Sequence, residues 1–254
     1  VLVSEVMLQQ TQVDRVAPRY VALMELWPTP ALWAAVPLGD VLARWQGLGY
    51  PRRAQRLHAA ARVVVHDFGG DMPSGLDELL GLPGVGAYTA RAVRAFAFEL
   101  PAAVVDTNVA RVLARVVGER LTARQVQDLA DSLVPEGDVW LWNQSIMELG
   151  ALVCRPRPDC ARCPLADLCR WHTDGHGDPD PAVGTAGVST RQSRFEGSDR
   201  QARGRLLASV VAGPVATGDA ARVMGRDEEV ALRVVAGLVA EGLVVQVGAE
   251  LRAP

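Results

Sequence analysis

Apolar residues recur at helical spacing along the first two thirds of the chain, and Pro and Gly separate one run from the next. The run from Asn108 is the clearest. Val109, Val112, Leu113, Val116 and Val117 fall on one helical face, and Asp106 and Thr107 stand before it as caps. Strand-like alternation is scarce, so residues 1–171 predict a mainly α domain. From His172 to Ser198 the pattern lapses into Gly, Asp, Pro and Thr, a linker composition. Order returns near Gln201. Arg203–Val211, Gly218–Met224 and Asp227–Glu241 read as helices, while Leu243–Val247 and Glu250–Arg252 read as a two-stranded wing. The expected organisation is a helical domain over 1–171, a linker over 172–198 and a small winged-helix-like module over 199–254.

Composition changes this picture in four ways. The 254 residues are 49% hydrophobic, enough to bury a sizeable helical core. No apolar stretch is long enough for a membrane span and no signal-peptide pattern opens the sequence, so a soluble, cytoplasmic protein is expected. The net charge of −3 gives no general attraction for polyanions, so a nucleic-acid partner would depend on local patches and backbone amides. Arg44, Arg52, Arg53, Arg56 and Arg62 form one such stretch, and Arg155, Arg157, Arg162 and Arg170 another; both read equally as solvated faces. All 26 basic residues are arginine. Without lysine, no side-chain amine is present to form a Schiff base.

Four segments carry candidate chemistry. Leu82-Pro83-Gly84-Val85-Gly86 is a tight turn between two helices, whose amides and following helix N-terminus suit a phosphate; an ordinary helix–helix turn reads the same way. Asp106 suits a helix N-cap, and a carboxylate there can also stabilise a cationic sugar. Glu5 stands among Val3, Val6, Met7 and Leu8, surroundings that favour a protonated carboxyl able to act as a general acid. Cys154, Cys160, Cys163 and Cys169 lie within sixteen residues, with no cysteine elsewhere. A disulfide framework does not suit a long chain of cytosolic character, whereas four thiolates can hold zinc or an iron–sulfur cluster. Spacing does not separate those two.

The segments SEVMLQQTQV, WQGLGYPRRAQRL, LPGVGAYTARAV, VDTNVARVL and NQSIMELGALVC, followed by the cysteines, resemble in this order the adenine DNA glycosylase (MutY) family. The final third resembles short actinobacterial-type members. The resemblance implies a helix-hairpin-helix six-helix barrel with a [4Fe–4S] subdomain held by Cys154, Cys160, Cys163 and Cys169. It implies a monomer acting on duplex DNA in which adenine is mispaired with 8-oxoguanine or guanine. Glu5 would be the general acid at adenine N7, and Asp106 would stabilise the oxocarbenium-like sugar. Gln9 and Tyr50 would enter the base stack, and Leu82, Gly84, Val85, Gly86, Tyr88 and Asn108 would contact DNA.

The chain departs from the family pattern at three points. Val1 directly precedes the Glu5 helix, where the family carries an upstream segment that helps form the adenine pocket. The first cysteine interval has five residues where six are usual, and Pro51 stands where a second aromatic is common. Endonuclease III-like enzymes share the hairpin and cluster but place a nucleophilic lysine where this chain has Tyr88, so lysine-dependent strand cleavage is excluded. An endonuclease III-like glycosylase for oxidised pyrimidines, a non-catalytic DNA-binding module lacking the N-terminal segment and a zinc-stapled structural domain are the alternatives.

Overall fold

The computed structural model describes residues 1–185 and 194–254; part of the expected linker, 186–193, lies outside the described residues. Two compact units divide the chain. One comprises Val3–Pro73, Gly81–Gly84 and the described residues from Arg194 to Pro254; the other comprises Val1–Leu2, Ser74–Leu80 and the described residues from Val85 to Thr185.

The first unit opens with five helices: α1 (Leu2–Leu8), α2 (Val13–Leu26), α3 (Pro30–Ala35), α4 (Leu38–Trp45) and α5 (Arg52–Phe68). Thr29 caps α3 by accepting from the Leu32 amide, and Pro30 occupies the first helical position, where its missing N–H costs nothing. Met7, Leu23, Val41, Leu42 and Val64 are fully buried among these helices.

The second unit carries α6 (Leu76–Gly81) up to its last residue, then α7 (Ala87–Ala97), α8 (Thr107–Val117), α9 (Ala123–Leu133) and α10 (Val139–Glu148). A π-helical turn, Leu149–Val153, continues α10, and α11 (Arg170–Thr173) follows the cysteine loop. The apolar face read from sequence on α8 is its buried face: Val109, Ala110 and Leu113 pack with Val126 and Ala130 of α9. A capping box between Thr122 and Gln125 starts α9.

Within 172–185, linker-like in composition, residues 173–179 are exposed, while the stretch from Asp180 to Thr185 is anchored. Asp180 pairs with Arg115 of α8, and the Thr185 hydroxyl accepts from the Leu121 amide at 3.1 Å.

The C-terminal residues rejoin the first unit as α12 (Asp199–Ala212), β1 (Val215–Ala216), α13 (Ala220–Met224), α14 (Glu228–Ala240), β2 (Val245–Val247) and β3 (Glu250–Arg252). The antiparallel sheet has the order β1-β3-β2, so the expected two-stranded wing gains a third strand from before α13. Leu206, Met224, Leu238, Leu243 and Leu251 form its core. The module sits on α4, and Gln55 of α5 donates to the Glu241 carbonyl at 2.7 Å. No helix among the described residues is long and apolar enough to cross a membrane.

Candidate active site and cysteine centre

Glu5 lies on α1, half-buried and directly before the buried Val6 and Met7. Gln9 follows the end of that helix, half-buried, and Tyr50 stands at the start of α5, 39% exposed, with its backbone in the left-handed region at φ 48°. One side chain ties these segments together. Arg53 donates to the carbonyls of Val6 at 3.0 Å, Met7 at 2.9 Å and Gln9, and to the Thr11 hydroxyl at 3.0 Å. It also donates to the carbonyls of Leu48 at 2.8 Å and Gly49 at 3.0 Å. The carbonyls left over at the end of α1 therefore find their donors in α5. Arg53 is only 8% exposed, and burial lowers its pKa to about 10, opposed by Tyr50. This corrects one expectation: Arg53 belongs to the interior, while Arg44, Arg52, Arg56 and Arg62 are exposed.

The hairpin residues divide between buried anchors and open backbone. The Leu82 and Val85 side chains are buried, whereas Gly84 and Gly86 are exposed. Gly84 has φ +80°, and a Cβ there would stand 2.6 Å from Cβ of Arg56. Only glycine meets both demands. Gly86 is the N-cap of α7 with no side-chain cap, and a Cβ there would meet nothing within 4 Å. Such an open, N–H-rich helix start is suited to an anion. Tyr88, half-buried, packs against Ala92, Ala95, Ala102, Val104 and Val139.

Asp106 caps α8, as its position before the helical run indicates. Its Oδ1 accepts from the amides of Asn108 at 2.8 Å and Val109 at 2.7 Å, and its Oδ2 accepts from Asn108 Nδ2 at 2.9 Å. The approach to Asp106 is fixed by residues that the sequence reading did not single out. Buried Asn143 of α10 accepts from the Val104 amide at 2.7 Å and donates to the Ala102 carbonyl at 3.0 Å. On the other side of Asn108, Arg111 donates to Asn108 Oδ1 at 2.7 Å, to the Gly150 carbonyl at 2.8 Å and to the Cys154 carbonyl at 2.7 Å. Gly150 belongs to the π-helical turn. A Cβ on it would lie 2.6 Å from Asn108 Cβ and 2.9 Å from the Asn108 carbonyl oxygen.

All four cysteines line one small space in the second unit, together with Arg115 and Trp171. Arg115 is 2% exposed. It donates to Cys154 Sγ at 3.4 Å, to the Arg155 carbonyl at 2.7 Å and to Asp180 at 2.6 Å, and Cys169 Sγ faces the Arg115 carbonyl at 3.2 Å. Burial works against the Arg115 charge, but the hydrogen bonds to Asp180 and Cys154 outweigh it and raise its pKa. Burial pushes the Cys154 thiol up, opposed by Arg115 and Arg111; burial and the neighbouring thiols push Cys160 up. Four sulfur donors gathered around one space suit a metal group that supplies positive charge to their thiolates.

Residues 3–136 match the HhH-GPD superfamily of base excision DNA repair proteins. A relative from Mycolicibacterium smegmatis named adenine DNA glycosylase is 47% identical over 212 residues, covering 82% of this chain and 70% of that protein. The chain belongs to the adenine DNA glycosylase family. Among solved structures, it is similar to a thermostable thymine-DNA glycosylase with a TM-score of 0.65 at 32% identity, covering 68% of this chain and 83% of that one. It is also similar to endonuclease III in a non-covalent complex with DNA, with a TM-score of 0.61 at 29% identity and the same coverage of each chain. The relatives named adenine DNA glycosylase and thymine-DNA glycosylase carry different bases in their names, so the chemistry has to be read from the residues.

Proposed function

We propose that this chain is a monofunctional glycosylase that hydrolyses the N-glycosidic bond of adenine mispaired with 8-oxoguanine or guanine in duplex DNA. The observation that carries this reading is the carboxylate of Asp106, fixed by three donors at the start of α8 in a chain without lysine. A carboxylate held in this way stabilises a cation electrostatically.

In the proposed reaction, adenine leaves the base stack, at a cost that a mispair reduces. Glu5 gives a proton to adenine N7, the bond between adenine and C1′ breaks, and Asp106 stabilises the cationic sugar. Water then adds its oxygen to C1′ and releases a proton, leaving an abasic site with an intact backbone. Gln9 and Tyr50, held by Arg53, take the space in the stack. The Leu82–Gly86 turn and the start of α7 hold a phosphate, with exposed Arg56 beside Gly84 adding charge. Cys154, Cys160, Cys163 and Cys169 hold a [4Fe–4S] cluster; when bound, it fixes the 154–169 loop as a rigid element.

Glu5→Gln and Asp106→Asn test the assignment. Each should lower adenine excision from an A:8-oxoguanine duplex by about 10²–10⁴-fold, while duplex affinity in a gel-shift assay changes little. Near-normal excision by Glu5→Gln would remove Glu5 from the mechanism.

A further inference from the structure

Beside the cysteine loop, three ligand atoms converge from residues to which the proposed reaction gives only one role. Cys160 Sγ lies 3.4 Å from His176 Nε2, and His176 Nε2 lies 3.1 Å from His172 Nδ1; the three residues offer ligand atoms all within 4.8 Å of one another. A tetrahedral zinc ion with Zn–S of about 2.3 Å and Zn–N of about 2.0 Å sets S···N edges of about 3.5 Å and N···N edges of about 3.3 Å. The first two separations match these edges; the remaining pair, Cys160 Sγ and the His172 nitrogen, lies within 4.8 Å and closes towards about 3.5 Å when the ion binds.

The histidines are placed by structure around them. His172 lies on α11, and the chain carries one turn further to His176, whose amide donates to the Trp171 carbonyl at 2.9 Å. The turn that ends α11, with Gly175 and His176 both in the left-handed region, brings the two rings to 4.8 Å between centroids. The Trp171 ring meets the His176 ring edge-on at 4.7 Å, donates its indole N–H to the Gly177 carbonyl at 2.8 Å, and lies under the Arg115 guanidinium at 4.7 Å. Two imidazoles and one thiolate form a borderline-soft donor set that suits zinc, with the fourth position left to solvent at this exposed edge.

We infer that Cys160, His172 and His176 form a zinc site. It shares Cys160 with the set read above as cluster ligands, and to that extent it rests on that reading: zinc on this triad and a four-cysteine cluster are mutually exclusive fillings. Zinc bound here withholds one thiolate from cluster assembly, so the site couples the metal state of the chain to the relative supply of zinc and iron.

The test uses the full chain purified from iron-limited, zinc-supplemented cells and from iron-replete cells, with metals counted by mass spectrometry. Wild type from the first culture should hold about one zinc per chain. His172→Ala/His176→Ala should weaken zinc binding at least about tenfold, with undiminished iron in protein from the second culture. Cobalt in place of zinc should show a sulfur-to-cobalt charge-transfer band that Cys160→Ser removes. Zinc absent from wild type, zinc retained by the double variant, or loss of iron together with zinc in that variant would each overturn the site. Wild type free of iron from iron-replete cells, with zinc still dependent on the histidines, would instead overturn the cluster reading alone.

Discussion

The guanidinium carbon of Arg53 lies 5.6 Å from the centre of the Tyr50 ring, while the N–H groups of the same side chain hold the end of α1. Glu5 and Gln9 belong to α1 and its end, whereas Tyr50 stands before α5, and this buried cation gives the two segments one frame of reference. The arrangement needs a planar fork with several donors at fixed angles, which an ammonium group cannot reproduce. Arg53→Lys should therefore lower unfolding stability by about 2–3 kcal/mol in urea titrations, through carbonyls left without donors. It should also weaken binding to an A:8-oxoguanine duplex. Unchanged stability would show that Arg53 does not organise this region.

Gly150 is where the π-helical turn touches α8. An alanine methyl must displace Asn108, whose side chain donates to Asp106. Gly150→Ala should cost about 1–3 kcal/mol of stability and depress excision more than DNA binding. The split between single-turnover rate and duplex affinity checks this. A fall in affinity with an intact rate would contradict the proposed path from Gly150 through Asn108 to Asp106.

The Arg115–Asp180 pair makes a pH-dependent contribution to stability. Burial alone would raise the Asp180 pKa, but the Arg115 hydrogen bond, the Ala182 amide and the nearby arginine charges hold it below the ordinary value of 3.8. The unfolded chain then binds the proton first as pH falls. The contribution is complete above the unfolded value and is lost as pH drops through the folded one. Asp180→Asn should cost about 1–3 kcal/mol near neutral pH, and the gap from wild type should narrow below pH 3.8. Denaturant titrations read by circular dichroism at several pH values measure it. A gap that widens on acidification would contradict the pairing.

Much of this organisation is legible in the sequence where local rules decide it. The run from Asn108 and the Asp106 that precedes it by two residues fix α8 and its cap, and four cysteines within sixteen residues mark one centre. Arg53 is not legible because its acceptors come from residues 6–11 and 48–49, which only tertiary folding brings to α5. Beside Arg52, it reads as part of a solvated stretch. Arg111 and Arg115 are hidden for a related reason: they lie on the flank of α8 that meets the cysteine loop, where charge is retained because carbonyls, a thiol and Asp180 receive it. The two-residue strand β1 is too short to show a period, and the Gly- and Pro-rich composition of 172–185 conceals the polar anchors Asp180 and Thr185.

The central claim is base removal without lysine-dependent strand cleavage, and strand integrity measures it most directly. A labelled duplex with adenine opposite 8-oxoguanine is incubated with the protein, and half of each sample is then treated with hot alkali. The account predicts scission at the adenine position only after alkali, with no borohydride-trapped complex. Strand breaks before alkali, accompanied by a covalent protein–DNA adduct, would contradict it.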